Sequence, residues 1–245
     1  TASVTLTEAG ADRQSMRAAA RLITMDTPYR WWLALACMFC CSSGACGAQA
    51  DLPAGGAERA GYALESLNDF YFGKDQELSG AWSVQTHSGV AGSWDGLEEV
   101  PGMVRRLGAS IPTLSGKDRH YRVSAAFCQI TQTPVDLKRS DLIEEDAPYA
   151  GALLVSLSWY GYNDATFAGL EFVTGMVGPA SGAEWMQENT HEWLGITRPR
   201  GWDNQLRNEL IINFNYSRKR KVMQRGDAAK GSFDATLGGR ICAGN

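Results

Sequence analysis

Gln187 and His191 stand four residues apart, with Glu184 and Glu188 beside them. On a helix that spacing puts Gln187 and His191 on one face. An imidazole titrates near neutral pH, so His191 can take a proton from an attacking water. The same residues also suit an amphipathic surface helix with a solvated histidine, so the group must be judged with its surroundings. No G-x-S-x-G occurs in the chain, which gives no support to a serine nucleophile and favours direct attack by water. After residue 50 the cysteines are Cys128 and Cys242, with no C-x-x-C, so a structural zinc site is not expected. Spacing does not say whether those two pair.

The element that carries His191 interrupts a β pattern. Gly178-Pro179 precedes Ser181-Gly182-Ala183-Glu184, which has the form of a capping box with Ser181 as N-cap. This predicts a short helix over 181–194 that stops at Gly195. Elsewhere the period is two. Tyr121, Val123, Ala125 and Phe127 share a face; Leu153, Val155, Leu157 and Trp159 share one opposite Ser156 and Ser158; Leu210, Ile212, Phe214 and Tyr216 share a third. Trp82 and Val84 alternate with Ser83 and Gln85. Strands are expected at about 62–72, 78–88, 119–130, 151–161, 166–177, 208–219 and 231–241. Gly89–Asp118, rich in Gly, Ser and charge, is expected to be a long extracellular loop.

Alternation of this kind fits a soluble sandwich and a membrane barrel alike. The N-terminal region favours export. Met25 opens a stretch with Arg30, an apolar run from Trp31 to Cys41 and an Ala48-Gln49-Ala50 cleavage pattern. The run is shorter than the roughly 20 apolar residues a spanning helix needs. Residues 1–24 are therefore read as upstream of the translated start, 25–50 as a signal peptide and 51–245 as the mature domain. The net charge of −4 gives no reason to expect nucleic-acid binding. The odd strand number and a last segment interrupted at Cys242 lead to the expectation of a barrel incomplete at its C-terminal end.

Three blocks in order resemble the lipid A 3′-O-deacylase family of Gram-negative outer membranes. They are Asn68-Asp69-Phe70 with Asp75-Gln76-Glu77-Leu78-Ser79; Thr133-Pro134 with Asp146-Ala147-Pro148-Tyr149-Ala150-Gly151; and Gly175-Met176-Val177-Gly178-Pro179, Gln187, His191, Gly195 and Gly201-Trp202-Asp203-Asn204-Gln205-Leu206. The resemblance runs from about Leu64 to Arg240. It implies an all-β, antiparallel outer-membrane barrel, twelve-stranded in the family, whose site lies between the barrel wall and a short helix near the outer leaflet. It also implies calcium-dependent removal of the 3′ acyloxyacyl chain of lipid A, the lipid anchor of lipopolysaccharide.

Carried over residue by residue, His191 is the general base, with Gln187 beside it. Asn68 and Asp69 lie near the Ca2+ or the oxyanion and have the oxygen donors that calcium takes. Ser79 stands where the family has a catalytic-region Thr, and Lys138, with Arg139 beside it, is the nearest match to a family Lys. The acid expected six residues after the His is Thr197 in this chain, with Glu188, Glu192 or Asp203 as substitutes, and the turn before Ser79 lacks the family's aromatic. Asp146-Pro148-Tyr149 is read as a turn that fixes strand pairing, and Trp202 as a packing residue. Two other readings stay open: an outer-membrane phospholipase or esterase, and a barrel that keeps the scaffold without the chemistry.

Overall fold

The structure is a computed structural model and describes residues 59–67, 77–227 and 231–245. The stretches read as upstream sequence and signal peptide lie outside the described residues. Seven strands form one antiparallel sheet in chain order: β1 Gly61–Leu67, β2 Glu77–His87, β3 His120–Thr133, β4 Ala150–Tyr162, β5 Thr166–Val177, β6 Glu209–Asp227 and β7 Gly231–Gly244. All seven expected strands are present. Among the described residues two α-helices interrupt them: α1, Gly102–Ser110, between β2 and β3, and α2, Ala183–Leu194, between β5 and β6. The sheet is not closed, since β1 and β7 are its edges.

The pairing register sorts the alternating residues onto two surfaces. One row joins Ser124, Ser158, Glu171 and Asn215 across β3 to β6; the opposite surface carries Ala125, Leu157, Phe172 and Phe214. The three apolar sets read from the sequence all fall on this second surface. Exposure then separates the sandwich from the barrel. Ser83, Gln85, Ser156, Ser158 and Glu171 are buried, whereas Leu64, Val84, Phe127, Val155, Ile212 and Phe214 are exposed. A water-soluble sheet buries its apolar face; this one curls around its polar face and turns the apolar one outward. That polarity suits a lipid surround, where backbone groups are paired between strands and the wall must be apolar. Cross-strand aromatics reinforce the wall, with Trp82–Phe127 at 5.5 Å and Phe172–Phe214 at 5.0 Å between ring centroids. Such pairs contribute about 0.2–1 kcal/mol each.

Polar side chains of the concave face pair across strands, although Glu171 Oε1 is buried without a partner among the described residues. Asn215 donates to Glu171 Oε2 at 3.0 Å, and Gln85 donates to Glu65 Oε2 at 2.9 Å. Toward the rim that bears α2, the lining becomes apolar, with Cys128, Ile130, Ala152, Leu154, Val173 and Ile211 in one buried cluster. Cys242 is an exposed free thiol, so it is not joined to Cys128.

Because consecutive strands are antiparallel neighbours, connections alternate between rims. The β1–β2, β3–β4 and β5–β6 connections share one rim; the β2–β3, β4–β5 and β6–β7 connections share the other. Gly89–Asp118 was expected to be an extracellular loop. The topology puts it at the rim opposite α2, and much of it is structured: it contains α1 and packs through Trp94, Leu97, Val100 and Leu114. Glycine and charge content did not distinguish a solvated loop from a docked one.

Candidate functional site

The β5–β6 connection begins with a 3-10 turn, Pro179–Ser181, and enters α2 through Gly182. Here the structure corrects the capping box. Gly182, at φ 67° and ψ 13°, is the N-cap, and no side-chain cap bond forms. That left-handed conformation suits glycine, which has no Cβ to clash. Ser181 lies in the preceding turn and is buried, accepting a hydrogen bond from Ala183 N at 3.3 Å, so the helix starts at Ala183 instead of 181. Glu184 accepts from Gln205 Nε2 at 3.0 Å in place of closing a cap. The expected stop is found: Gly195 is left-handed, at φ 67°, and its N–H closes the helix end.

Helix α2 docks on the outer wall, not in the lumen. Gly151 has the same strand parity as Leu153 and Val155, and a Cβ there would lie 2.2 Å from Ala183 Cβ and 2.3 Å from Ser181 Oγ. Only hydrogen at this position permits so close an approach. Gln129, on the same wall, accepts from Trp82 Nε1 at 3.1 Å and donates to the Ser181 carbonyl at 2.8 Å. Ala183, Gln187 and His191 are the buried residues of α2, while Trp185 and Trp193 are exposed.

The two site residues that α2 carries are fixed by different neighbours. Trp202 Nε1 donates to Gln187 Oε1 at 3.1 Å. An indole N–H can only donate, so it sets the amide orientation and leaves Nε2 as the donor end. That Nε2 is buried without an acceptor among the described residues. His191 Nδ1 is hydrogen-bonded to the carbonyl oxygen of Thr197, which can only accept. Nδ1 is therefore the donor in this contact, and in the neutral ring that leaves Nε2 as the atom that would accept a proton. Thr197 is the position where the resemblance leads to the expectation of an acid. Its backbone carbonyl supplies an acceptor to the imidazole, while Glu188 is engaged by Arg198 at 2.8 Å.

The β3–β4 connection closes around the far side. Tyr149 and Trp202 pack at 5.0 Å between centroids, and both belong to a buried cluster with Leu137 and Ala183. Arg200 N donates to Leu137 O at 3.0 Å, and Leu206 N donates to Tyr149 O at 2.9 Å. Asp146 accepts from Val135 N and Ala147 N, each at 2.7 Å, which gives Asp146-Pro148-Tyr149 the turn-fixing role expected of it. Lys138 is exposed on this connection. Arg139 beside it is held by both oxygens of Asp141, and hydrogen bonding to that guanidinium keeps the Asp141 carboxyl below the usual carboxylate range. Lys138 is thus the better candidate of the two basic residues.

Asn68 and Asp69, and the side chain of Ser79, lie outside the described residues. Asn68 and Asp69 fall in sequence between β1 and β2, and Ser79 within β2; the facing ends of those two strands lie at the same rim as α2. Among the described residues no group of three His, Cys, Asp or Glu could hold a metal ion. Sequence reasoning missed the Thr197 carbonyl and the indole donor of Trp202. A carbonyl has no residue-type signature, but the family-pattern gap at Thr197 marked the position.

A curled antiparallel sheet, polar within and apolar without, with a buried histidine helix docked on its outer wall, defines a membrane β-barrel protein whose candidate site faces the lipid side. The sequence profile of one family, described as outer membrane protein LpxR, matches residues 33–245. The chain belongs to that family and to the bacterial outer membrane. In structure it is similar to LpxR from Salmonella typhimurium, with a TM-score of 0.54 and 11% sequence identity. The likeness covers 75% of this chain and 58% of that one. No curated protein sequence matches the chain.

Proposed function

We propose that the chain carries an ester-hydrolase site that removes the 3′ acyloxyacyl chain of lipid A. The observation that carries this reading is the pairing of His191 and Gln187 on the wall-facing side of α2. The imidazole is held with its lone pair on Nε2, and the amide is held with its donor end unpartnered. In this reading His191 Nε2 takes a proton from water as the oxygen attacks the acyl carbonyl. The imidazolium then returns the proton to the departing sugar oxygen, so acid and alcohol leave and the base is restored. Gln187 Nε2 donates to the water or to the carbonyl oxygen as charge develops there.

The donor chemistry of the β1–β2 connection fits a hard cation, since Asn and Asp offer carbonyl and carboxylate oxygens. Asn68 and Asp69 would hold Ca2+, which when bound would polarise the ester carbonyl as a Lewis acid. Ser79 would add a hydroxyl, and Lys138 a positive charge for an anionic substrate. The substrate is lipopolysaccharide in the outer leaflet, which suits a site on the outer wall of a barrel.

Mass spectrometry of lipid A from cells expressing the chain tests this. Loss of the 3′ acyloxyacyl mass is the expected result. Release of phospholipid acyl chains with lipid A unchanged indicates a phospholipase, and no change in either indicates a scaffold without the chemistry.

A further inference from the structure

We propose that α1 is an interfacial helix that beds in the phospholipid leaflet at the rim opposite the candidate site. The β2–β3 connection does not fold into the lumen. Trp94, Leu97, Val100 and Leu114 pack on Tyr121, Val123, Trp159 and Ala168. Val123 pairs with Trp159 and Trp159 with Leu170, on the same face as Phe127 and Val155, so this is the apolar outer wall. The attachment is close. Trp159 Nε1 donates to Val104 O at 2.9 Å, and a Cβ on Gly108 would lie 2.7 Å from atoms of both Trp159 and Trp94.

With Val104 and Gly108 turned to the wall, the flank of α1 that carries Met103 and Leu107 is left open. Met103 is 82% exposed and Leu107 51% exposed, one turn apart on that side. Arg106, beside them, is exposed as well. Arg105 is turned away and donates to Asp95 O at 2.8 Å. Two large apolar side chains on one open turn are costly in water and favourable at a membrane surface, where a neighbouring arginine can reach lipid phosphates. The occupant is lipid because α1 lies on the wall that the outer-membrane location already assigns to lipid, and its free side continues that surface. The acidic residues Asp95, Glu98 and Glu99 all fall outside the helix. The choice of leaflet rests on the lipid A reading of the opposite rim; the bedding of α1 in lipid does not.

Single cysteines at Met103 and Leu107, with controls at Asp95 and Glu98, test this in a Cys242→Ser background. Met103 and Leu107 are exposed, so cysteine there leaves the wall contacts of Val104 and Gly108 intact. Labelling by a membrane-impermeant maleimide is followed in outer-membrane fragments, then in the purified chain in phosphatidylethanolamine–phosphatidylglycerol vesicles. The parent without an added cysteine gives the background. Cysteines at 103 and 107 should label at least about tenfold more slowly than those at 95 and 98 in both settings. Rapid labelling at 103 and 107 in both settings overturns the proposal. So does protection in the fragments that disappears in protein-free vesicles, because a protein would then be the cover.

Discussion

Replacing His191 by alanine separates chemistry from scaffold. Loss of a general base should lower the deacylation rate by about 10² to 10⁴-fold. At about 1.36 kcal/mol per tenfold, that is roughly 2.7–5.4 kcal/mol of activation free energy. The structural cost is smaller. The described hydrogen bond from His191 Nδ1 to the Thr197 carbonyl is lost, which is worth about 1 kcal/mol. Helix α2 remains anchored by Ala183 against Gly151, by Gln129 on Ser181 O and by Trp202 on Gln187, and the strand ladder is untouched. The companion substitution is Thr197→Ala. The Thr197 side chain is exposed and the imidazole's partner is its backbone oxygen, so stability should stay within about 0.5 kcal/mol and activity within about twofold. The assay is the fraction of lipid A lacking its 3′ acyloxyacyl chain, normalised to the protein assembled in the outer membrane. Full deacylation by His191→Ala refutes the base. A loss on Thr197→Ala as large as that of His191→Ala refutes the backbone account of its orientation.

Four further outcomes follow, three from the same geometry and the last from the proposed Ca2+ site. Gln187→Glu keeps an acceptor for Trp202 but removes the buried donor, so activity should fall on the order of 10²-fold while indole fluorescence stays native; unchanged activity contradicts the donor role. Gly151→Ala puts a methyl into Ala183 and should cost about 1–3 kcal/mol through displacement of α2, read as increased proteolysis of the β5–β6 connection while the chain still assembles. Val155→Arg puts a charge on the lipid-facing wall and should cost about 2–4 kcal/mol, read as reduced assembly in the outer membrane; Ser156→Ala, on the concave face, is the control that should assemble normally. Chelator should silence the enzyme, with calcium restoring it better than magnesium, and Asp69→Ala should abolish activity with only partial rescue by excess calcium; indifference to chelator contradicts the metal assignment.

The strands were legible because two independent demands agree. A wall in lipid needs apolar residues at every second position, and a polar lumen needs hydrophilic ones between, so Leu153, Val155, Leu157 and Trp159 alternate with Ser156 and Ser158 over an uninterrupted length. The facing of those residues was not legible from the strands themselves; the export pattern and the family resemblance pointed to the barrel, which the structure bears out. Alternation is the same for a buried and a lipid-exposed face, and only the curl of the sheet, which buries Ser156 and exposes Val155, decides which is which. Helix α2 was legible from Gly195 and the polar run before it, but its start was not. Ser181 and Glu184 have capping-box spacing, and the decisive contacts come from distant strands, with Gln129 on Ser181 O and Gly151 under Ala183. Local sequence cannot weigh a cap against a docking contact made about 50 residues away along the chain.

The same reasoning explains what was hardest to read, the surroundings of His191. A search by residue type looks for a carboxylate beside the imidazole, finds Thr197 at the family position and turns to Glu188, Glu192 or Asp203. The chain uses none of these on Nδ1. Gly195 reverses the backbone after α2, Ile196 N donates to His191 O at 3.0 Å, and this return places the next carbonyl, that of Thr197, on Nδ1. The left-handed glycine that ends the helix therefore also sets the histidine tautomer. A carbonyl carries no net charge, so it fixes the ring as a carboxylate would but stabilises the imidazolium less. In the proposed mechanism His191 would keep its orientation and lose part of the electrostatic support that a carboxylate gives as the proton arrives.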